Sequence, residues 1–587
     1  MRRFYALLLL ILPLPVFAAD TSGKIGWRGW SPDLFAEAAR ENKLVILDLE
    51  AVWCHWCHVM DENTYHDPEV TRIIGAHFIA VRVDQDAHPE LSARYEDWGW
   101  PATIVFRPDG AEIAKLRGYV EAERMAKILT MLRDNPTPAD LPPETPMRPA
   151  DGTSLTAEQK KLLQERYEWV YDAENGGWGN IHKFIHTHSM EYALERARAG
   201  DKLHEIMARQ TLHASLQLLD PVWGGVYQYS DETDWKSPHY EKIMSFQTDS
   251  IRLYALAFLL TDDKKYLEAA RSIHGYLTRF LRSPDGVFYT SQDADLNRAV
   301  DGKSYYRLNE AERLKLGIPR VDRNIYAREN GWVISALASL YAATGDPRYL
   351  DEATAAARWI ITQRGRPDGG FGHARPDDGP YLGDTLAMGR AFLDLFSASG
   401  EREWLNRAIA AAKFINARFR DDTHGGFATV MAPAGLPPSA PHIDSNIELA
   451  RYANLLFFYT AEVEFRAASD QAMRFLTAPA VVEQRRLNAG VLLADLERAG
   501  DPVHLAVVGR RDDEAALTLL REAIRYPSLY KRVDFWDRRE GPLPNPDVRY
   551  PELPRAAAFA CANQTCSLPV FDPAKLRETV ERMHGGS

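Results

Sequence analysis

Residues 44–60 read "LVILDLEAVWCHWCHVM". A short apolar run of the kind that forms a buried strand leads directly into two cysteines, Cys54 and Cys57, separated by two residues. "AVWCHWCHVM" has two incompatible readings. As W-C-x-x-C it is a redox-active dithiol; as C-x-x-C-H it is a site of covalent haem attachment. Haem needs a helix carrying the motif, a distal Met or His and an apolar pocket, usually in a small helical domain. Here His58 is followed by the acidic "MDEN" and the flanks are strands, so the dithiol is expected. Zinc held by Cys54, Cys57 and histidines would need ligands from elsewhere in the chain, and the sequence names none. An inert, merely packed pair is the remaining alternative. No metal and no cofactor is expected.

A nucleophilic cysteine works as its thiolate, which is favoured at a helix N-terminus by unpaired N–H groups and the helix dipole. A strand running into Trp53-Cys54, with a helix beginning near Cys57, makes Cys54 the exposed attacker and Cys57 the thiol that resolves the mixed disulfide. His55 and His58 add positive charge near the sulfurs and favour the reduced form.

Outward from this motif, residues 24–134 alternate strand and helix signals, as in a small α/β domain. "GWPATIVFRPDGAEIAKLRGY" reads as a hairpin turning at Pro-Asp-Gly, and "VEAERMAKILTMLRD" as a closing helix. Residues 135–154, "NPTPADLPPETPMRPADGTS", are too rich in proline for either element and mark a linker. From 155 to 478 the chain is helical and repeats itself in units of roughly 50 to 80 residues, giving about eleven or twelve helices. "DDKKYLEAA", "GDPRYLDEA" and "GEREWLNRA" open helices; "NGGWGN", "WGGVYQYS", "DGGFGHA" and "HGGFATV" close units. Such hairpins must pack side by side to bury their apolar faces. About six of them closed into an all-α (α/α)6 toroid, with the glycine loops gathered on one rim as binding loops, is the expected arrangement. Residues 503–587 return to mixed character, a small α/β C-terminal domain.

The chain has 587 residues and a formal net charge of -12, with no run of basic residues interleaved with aromatics, so nucleic acid is not an expected partner. Residues 1–18 have the form of a signal peptide: Arg2-Arg3, an apolar run, then Val16-Phe17-Ala18. The expectation is export to the periplasm or beyond, with no stable membrane insertion after cleavage. Disulfides persist in such compartments. Of four cysteines, the distal pair Cys561 and Cys566 in "CANQTC" is expected to be a structural bridge.

Asp48-Leu-Glu-Ala51-Val-Trp53-Cys54 resembles the D-x-x-A-x-W-C of thioredoxins. The resemblance implies that Asp48 accepts the proton of Cys57, and that Pro101, in "GWPAT", is a cis-proline opposite the dithiol that orients the partner chain. Further motifs widen the match: "CHWCHVM", "GWP", "ENGGWG", "WGGVYQYS", "PHYEK", "SQDAD", "NGW" with "ISALASLY", and "CANQTCSLPVFDP" follow the order of the spermatogenesis-associated protein 20 family. That family is similar to a thioredoxin-like domain joined to a six-hairpin toroid of the glycosidase and sugar-epimerase type. The chain departs from it at "EAVW", where a Ser-Thr pair is usual, at "HKFIHTHS" and at "PHIDSN". The first departure favours redox chemistry; the other two count against chemistry in the toroid.

Toroids of this type that cleave sugars use two carboxylates, and related epimerases move protons with histidines. His239 and Glu241 in "SPHYEK" and Asp293 and Asp295 in "SQDADL" are the candidate substrate-binding residues, with Trp178, Tyr227, Trp235 and Tyr289 as aromatic platforms for a sugar. The bland alternative is that these residues make turns and bury a joint between domains. His182, His186 and His188 have ligand spacing, but solvated or hydrogen-bonded loop histidines are expected. The leading expectation is an exported thiol–disulfide oxidoreductase using Cys54, Cys57, Asp48 and Pro101, with a thiol- or disulfide-bearing protein substrate and a redox partner protein. The alternatives are a carbohydrate-active enzyme with a glycan in its toroid and a scaffold without turnover.

Overall fold

The computed structural model describes residues 24–137, 147–430, 441–484, 487–562 and 565–584; the signal segment expected at 1–18 and part of the expected linker lie outside them. The N-terminal domain is built on β1 (Leu44–Glu50), which pairs in parallel with β2 (Phe78–Asp84) and antiparallel with β3 (Ala102–Phe106); β4 (Glu112–Arg117) completes the order β2-β1-β3-β4. β1 is covered on both faces, which is why its sequence is an almost unbroken apolar run. One face packs on α1 (Leu34–Glu41) and α4 (Pro89–Tyr95), the other on α2 (His55–Met60), α3 (Pro68–His77) and α5 (Ala122–Asp134).

The helical region carries the short strands β5 (Tyr229–Ser230), β6 (Pro238–His239), β7 (Lys242–Ile243), β8 (Ser291–Gln292) and β9 (Val321–Asp322) in its loops, and holds α6 (Ala157–Trp169), α7 (Thr187–Arg198), α8 (Lys202–Ser215), α9 (Met244–Thr261) and α10 (Lys264–Tyr276). After the short α11 (Gly302–Tyr306) and α12 (Glu310–Leu316) come α13 (Ala327–Thr344), α14 (Pro347–Arg364), α15 (Leu382–Ser399), α16 (Arg402–Arg418), α17 (Ile443–Thr460), α18 (Val463–Leu476), α19 (Pro479–Gln484) and α20 (Ala489–Ala499). Among the described residues α7, α9, α13, α15, α17 and α20 touch in sequence, and α20 touches α7 again, so they form a closed inner ring. The outer helices α8, α10, α14, α16 and α18 each pack on the inner helix before them, and α6 packs on α20. First and last helices thus close the (α/α)6 toroid. The ring is completed beyond residue 478, where the sequence pattern suggested that it ended. Inner helices such as α15, whose buried residues run from Leu382 to Ala398 around most of the cylinder, carry little amphipathic pattern because they are enclosed on nearly all sides.

The glycine loops have a structural cause. Asp172, Asp220 and Asp421 each stand four residues before a Gly-Gly pair, and each backbone N–H donates to the carbonyl of the second glycine at 2.9–3.0 Å. Four of the glycine loops hand a backbone N–H to a polar side chain of an inner helix, Val226 to Gln247, Phe288 to Asn330, Phe371 to Thr385 and Phe427 to Asn446, whereas the loop at Asp172 gives that of Gly177 to Thr211 of the outer helix α8. At Gly225 φ is +80°, and a Cβ would stand 2.7 Å from the Tyr276 ring. These loops lock one hairpin to the next rather than standing open as binding loops.

The C-terminal domain has β10 (Val503–Val508), α21 (Glu514–Arg525), β11 (Lys531–Trp536), β12 (Ala557–Ala562), β13 (Thr565–Cys566) and α22 (Leu576–His584). Its order β11-β10-β12-β13, with β10 parallel to β11 and antiparallel to β12, repeats the topology of the N-terminal sheet. Cys561 and Cys566 are directly paired across β12 and β13 and joined by a disulfide. No described helix is long and apolar enough to cross a membrane.

Candidate functional site

At the end of β1 the chain turns through Ala51, Val52 and Trp53. The Val52 N–H donates to Asp84 Oδ2 at 3.0 Å, and Trp53 Nε1–H to Asp86 Oδ2 at 2.8 Å. Cys54 is the N-cap of α2, its Sγ accepting the N–H of Cys57 at 3.1 Å, and Cys54 and Cys57 form a disulfide. The helix therefore starts at His55, ahead of the position expected near Cys57. A sulfur held against a helix N-terminus is the arrangement that stabilises a thiolate once the bond is reduced. The Trp100–Pro101 bond is cis and leads straight into β3, where Thr103 lies opposite Asp48 of β1. Asp48 is buried. Burial pushes its carboxyl up to about 6, against the pull of Arg82, whose Nε–H donates to Asp48 Oδ2 at 2.8 Å. Tyr65 OH donates to the other oxygen at 3.4 Å.

The dithiol is not at the surface. Cys54 and Cys57 are 3% and 4% exposed, and they form a small core with Ala51, Trp53 and Ile243, flanked by Trp100 and Phe246. Ile243 and Phe246 belong to the toroid. Two of its strand-bearing loops, β6 (Pro238–His239) with β7 (Lys242–Ile243), and β8 (Ser291–Gln292), sit on the motif. His55 Nδ1–H donates to Asp295 Oδ2 at 2.6 Å, and the backbone N–H of His55 to Glu241 Oε1 at 3.3 Å. His58 lies between Asp293 and Asp295, its Nε2 and Nδ1 each 3.7 Å from a carboxylate oxygen. Arg298 and Glu62 close the edge of the contact with a 2.7 Å ion pair. The Asp295 hydrogen bond raises the His55 imidazole above its ordinary value despite burial. For His58, burial alone would lower it, but the two aspartates hold it above. Burial pushes Asp293 up to about 6, while the two imidazoles outweigh burial at Asp295 and hold that carboxyl far below the usual range.

The two sites expected separately from sequence are thus one. Glu241, Asp293 and Asp295 meet His55 and His58, the residues that follow Cys54 and Cys57, and His239 stands behind Glu241, its Nε2 2.6 Å from Asp231. None of them borders the cavity of the toroid. Three expectations are corrected. Cys54 is not an exposed attacker, because toroid loops cover it. Trp178, 1% exposed, is locked between Tyr167 and Tyr171 in the toroid core, and Tyr227 is buried against Tyr240 and Tyr306; neither ring is available to stack on a sugar. The glycine loops that carry them fold inward to satisfy buried cations: Lys183 Nζ donates to Asp172 Oδ2 at 2.8 Å, and Lys242 Nζ to Asp220 Oδ2 at 2.8 Å.

The toroid encloses a cavity of about 720 Å³ whose wall includes Phe184, His186, His188, Phe246, Trp332 and Glu448. Pro89, Ser92 and Ala93 of α4 also line it, so the N-terminal domain forms part of its mouth. His186 and His188 thus line the cavity, and His188 is hydrogen-bonded as expected, though it stands in α7 rather than in a loop. Pairing with Glu448 at 2.7 Å overrides burial and raises His188 to about 9, while burial lowers His186 to about 4. Phe246 separates cavity from dithiol, bordering both. A buried hydrogen-bonded chain also connects them: Trp53 donates to Asp86, whose carbonyl is 2.7 Å from His373 Nε2, while His373 Nδ1 is 2.9 Å from Asp384, a cavity residue. Asp86, His373 and Asp384 carry no local motif. Only their buried polar character in the fold marks them.

A family model described as "Protein of unknown function, DUF255", named Thioredox_DsbH, matches residues 15–133. Human Spermatogenesis-associated protein 20 is 23% identical over 96% of this chain and 91% of its own length. Thiol:disulfide interchange protein DsbD 1 of Pseudomonas aeruginosa is 33% identical over 16% of this chain and 17% of its own. A cellobiose 2-epimerase structure from Bacillus thermoamylovorans covers 54% of this chain and 86% of its own at 13% identity, with a TM-score of 0.43. The chain resembles the spermatogenesis-associated protein 20 family along nearly its whole length, and its residues 15–133 match the DUF255 family model.

Proposed function

We propose that this protein is a thiol–disulfide oxidoreductase working after export, with a redox centre made jointly by the thioredoxin-like domain and two toroid loops. The observation that carries the reading is the Cys54–Cys57 disulfide at the junction of β1 and α2, beside cis Trp100–Pro101 and buried Asp48. The local similarity to a protein named for thiol:disulfide interchange supports it. In the reducing direction the Cys54 thiolate attacks a substrate disulfide, forming a mixed disulfide and releasing one substrate thiolate. Cys57 then gives its proton to Asp48 and attacks Cys54 Sγ, releasing the second thiolate. Two electrons pass to the substrate and the internal disulfide re-forms. The reverse sequence oxidises a substrate dithiol. A protein disulfide reaches Cys54 only after the loops carrying Glu241 and Asp293 part from α2. Insulin reduction by the dithiothreitol-reduced full chain, and oxidation of a dithiol peptide by the oxidised chain, test this. Turnover in either assay should vanish in Cys54→Ser, and turnover undiminished in that variant, or none in wild type, would overturn the reading.

A second reading, glycan binding in the toroid, is favoured by the cavity, where Trp332, Phe184 and Phe246 alternate with Glu448, Asp249 and the neutral His186. Calorimetric titration with neutral disaccharides should give binding that Trp332→Ala abolishes; heats indifferent to that change would count against it.

A further inference from the structure

Beside the dithiol the sequence offers His58 but no further metal ligand at fixed spacing; the fold supplies them. Among the described residues a single group of three His, Cys, Asp or Glu side chains brings its ligating atoms within 4.8 Å of one another: His58, Asp293 and Asp295. Three donors bound to one cation at about 2.0–2.2 Å stand roughly 3.3–3.8 Å apart, so movements of up to about an ångström close the set. Asp293 is prepared for this: Oδ1 accepts the N–H of Asp295 at 2.9 Å, leaving Oδ2 turned toward His58.

An independent observation concerns charge. Glu241 lies in the same seam, 3% exposed; its Oε1 accepts the N–H of His55, and its Oε2 is buried without a hydrogen-bond partner. Three carboxylates, Glu241, Asp293 and Asp295, are therefore gathered out of water. Among the described residues none of them forms an ion pair with Lys or Arg; the ion-pair partners are the imidazoles of His55, His58 and His239. The buried Glu241 oxygen therefore leaves acceptor capacity in this seam that no donor among the described residues fills.

We propose that His58, Asp293 and Asp295 bind a divalent transition-metal cation of the zinc class at the seam between the thioredoxin-like domain and the toroid. One imidazole with two carboxylates is a mixed N/O donor set, suited to Zn²⁺ rather than to the all-oxygen sites of Ca²⁺ or Mg²⁺. Bound there, the ion ties the loop after β8 to α2, one residue from Cys57, and holds the cover over the dithiol in place. The site is independent of the redox reading, because it needs neither sulfur.

The test uses the full chain in its oxidised form, in which neither cysteine is a thiolate. Zn²⁺ is titrated in competition with a chromophoric chelator, and Co²⁺ is added separately as a visible-absorbing substitute. Wild type should take up one Zn²⁺ per chain and show Co²⁺ absorption bands. Asp293→Asn, which keeps the bond from Asp295 N–H, should weaken uptake by at least about tenfold. His58→Gln, at a side chain 37% exposed and therefore safer for folding, should do the same. Zn²⁺ should also raise the unfolding temperature of wild type and not of the variants. Loss of uptake in either folded variant supports the site. No uptake by wild type at micromolar Zn²⁺, or equal uptake by wild type and both variants, overturns it.

Discussion

Replacing Asp48 by asparagine isolates one buried charge. Burial moves this carboxyl from 3.8 to about 6 in the folded chain, so ionising it there costs about 3 kcal/mol more than in the unfolded chain. The sign follows from proton counts. Between the two values the folded state holds more protons than the unfolded one, so stability falls as pH rises and levels off above the folded value. From pH 4.5 to 7.5 the Asp48 contribution should fall by about 2 kcal/mol. The amide of the Asp48→Asn variant cannot ionise and shows no such fall. Apart from this, the variant carries a pH-independent offset, because Arg82 keeps Asp61 at 2.9 Å but loses its charged partner at Asp48. The diagnostic is therefore the difference between the two proteins and its change with pH. Guanidinium unfolding of both full chains, run in parallel at pH 4.5 and 7.5, measures it. Wild type should lose about 2 kcal/mol relative to Asp48→Asn over that interval. A difference constant to within about 0.5 kcal/mol, or a wild type that gains on the variant as pH rises, would refute the argument that burial outweighs Arg82.

Three further outcomes are expected. Gly225→Ala should lower stability by roughly 2–4 kcal/mol, because the new methyl meets the Tyr276 ring at 2.7 Å on a backbone already at positive φ; calorimetry reads it. His373→Ala leaves Asp384 buried without its imidazole and breaks the link to the Asp86 carbonyl; a loss of roughly 2–4 kcal/mol and faster amide exchange around Trp53 are expected, and unchanged exchange would mean the link does not hold that turn. After reduction, Cys54 in the folded chain should react with iodoacetamide at least about tenfold more slowly than in Arg298→Glu, which breaks the Glu62 pair at the edge of the seam; equal rates would mean the cover opens by another edge.

The strands and helices of the N-terminal domain, the helical repeat and the dithiol were legible in local sequence because each rests on a local cause. β1 is an apolar run because both its faces are covered, Cys54 caps the helix that follows it, and Asp48 stands at a fixed offset from it along the same strand. The ring needed only the repeated helix openings and Gly-Gly pairs, since hairpins that cannot bury their own faces must stack. The shared strand order of the two terminal domains is not legible in sequence, because pairing order leaves no local trace in β10, β11 and β12.

What tertiary structure alone decided is where those pieces meet. Glu241, Asp293 and Asp295 are separated from Cys54 by roughly two hundred residues of chain, and nothing in "PHYEK" or "SQDAD" says whether the loop faces solvent, a cavity or a neighbouring domain. Trp178 and Tyr227 look from sequence like platforms for a sugar; in the fold the same glycine turns point them inward. Sequence carries the chemistry of each side chain and the period of each element, which are properties of near neighbours. Burial, and with it the charge state and access of the dithiol, is a property of whatever packs against it, and here that is a different domain.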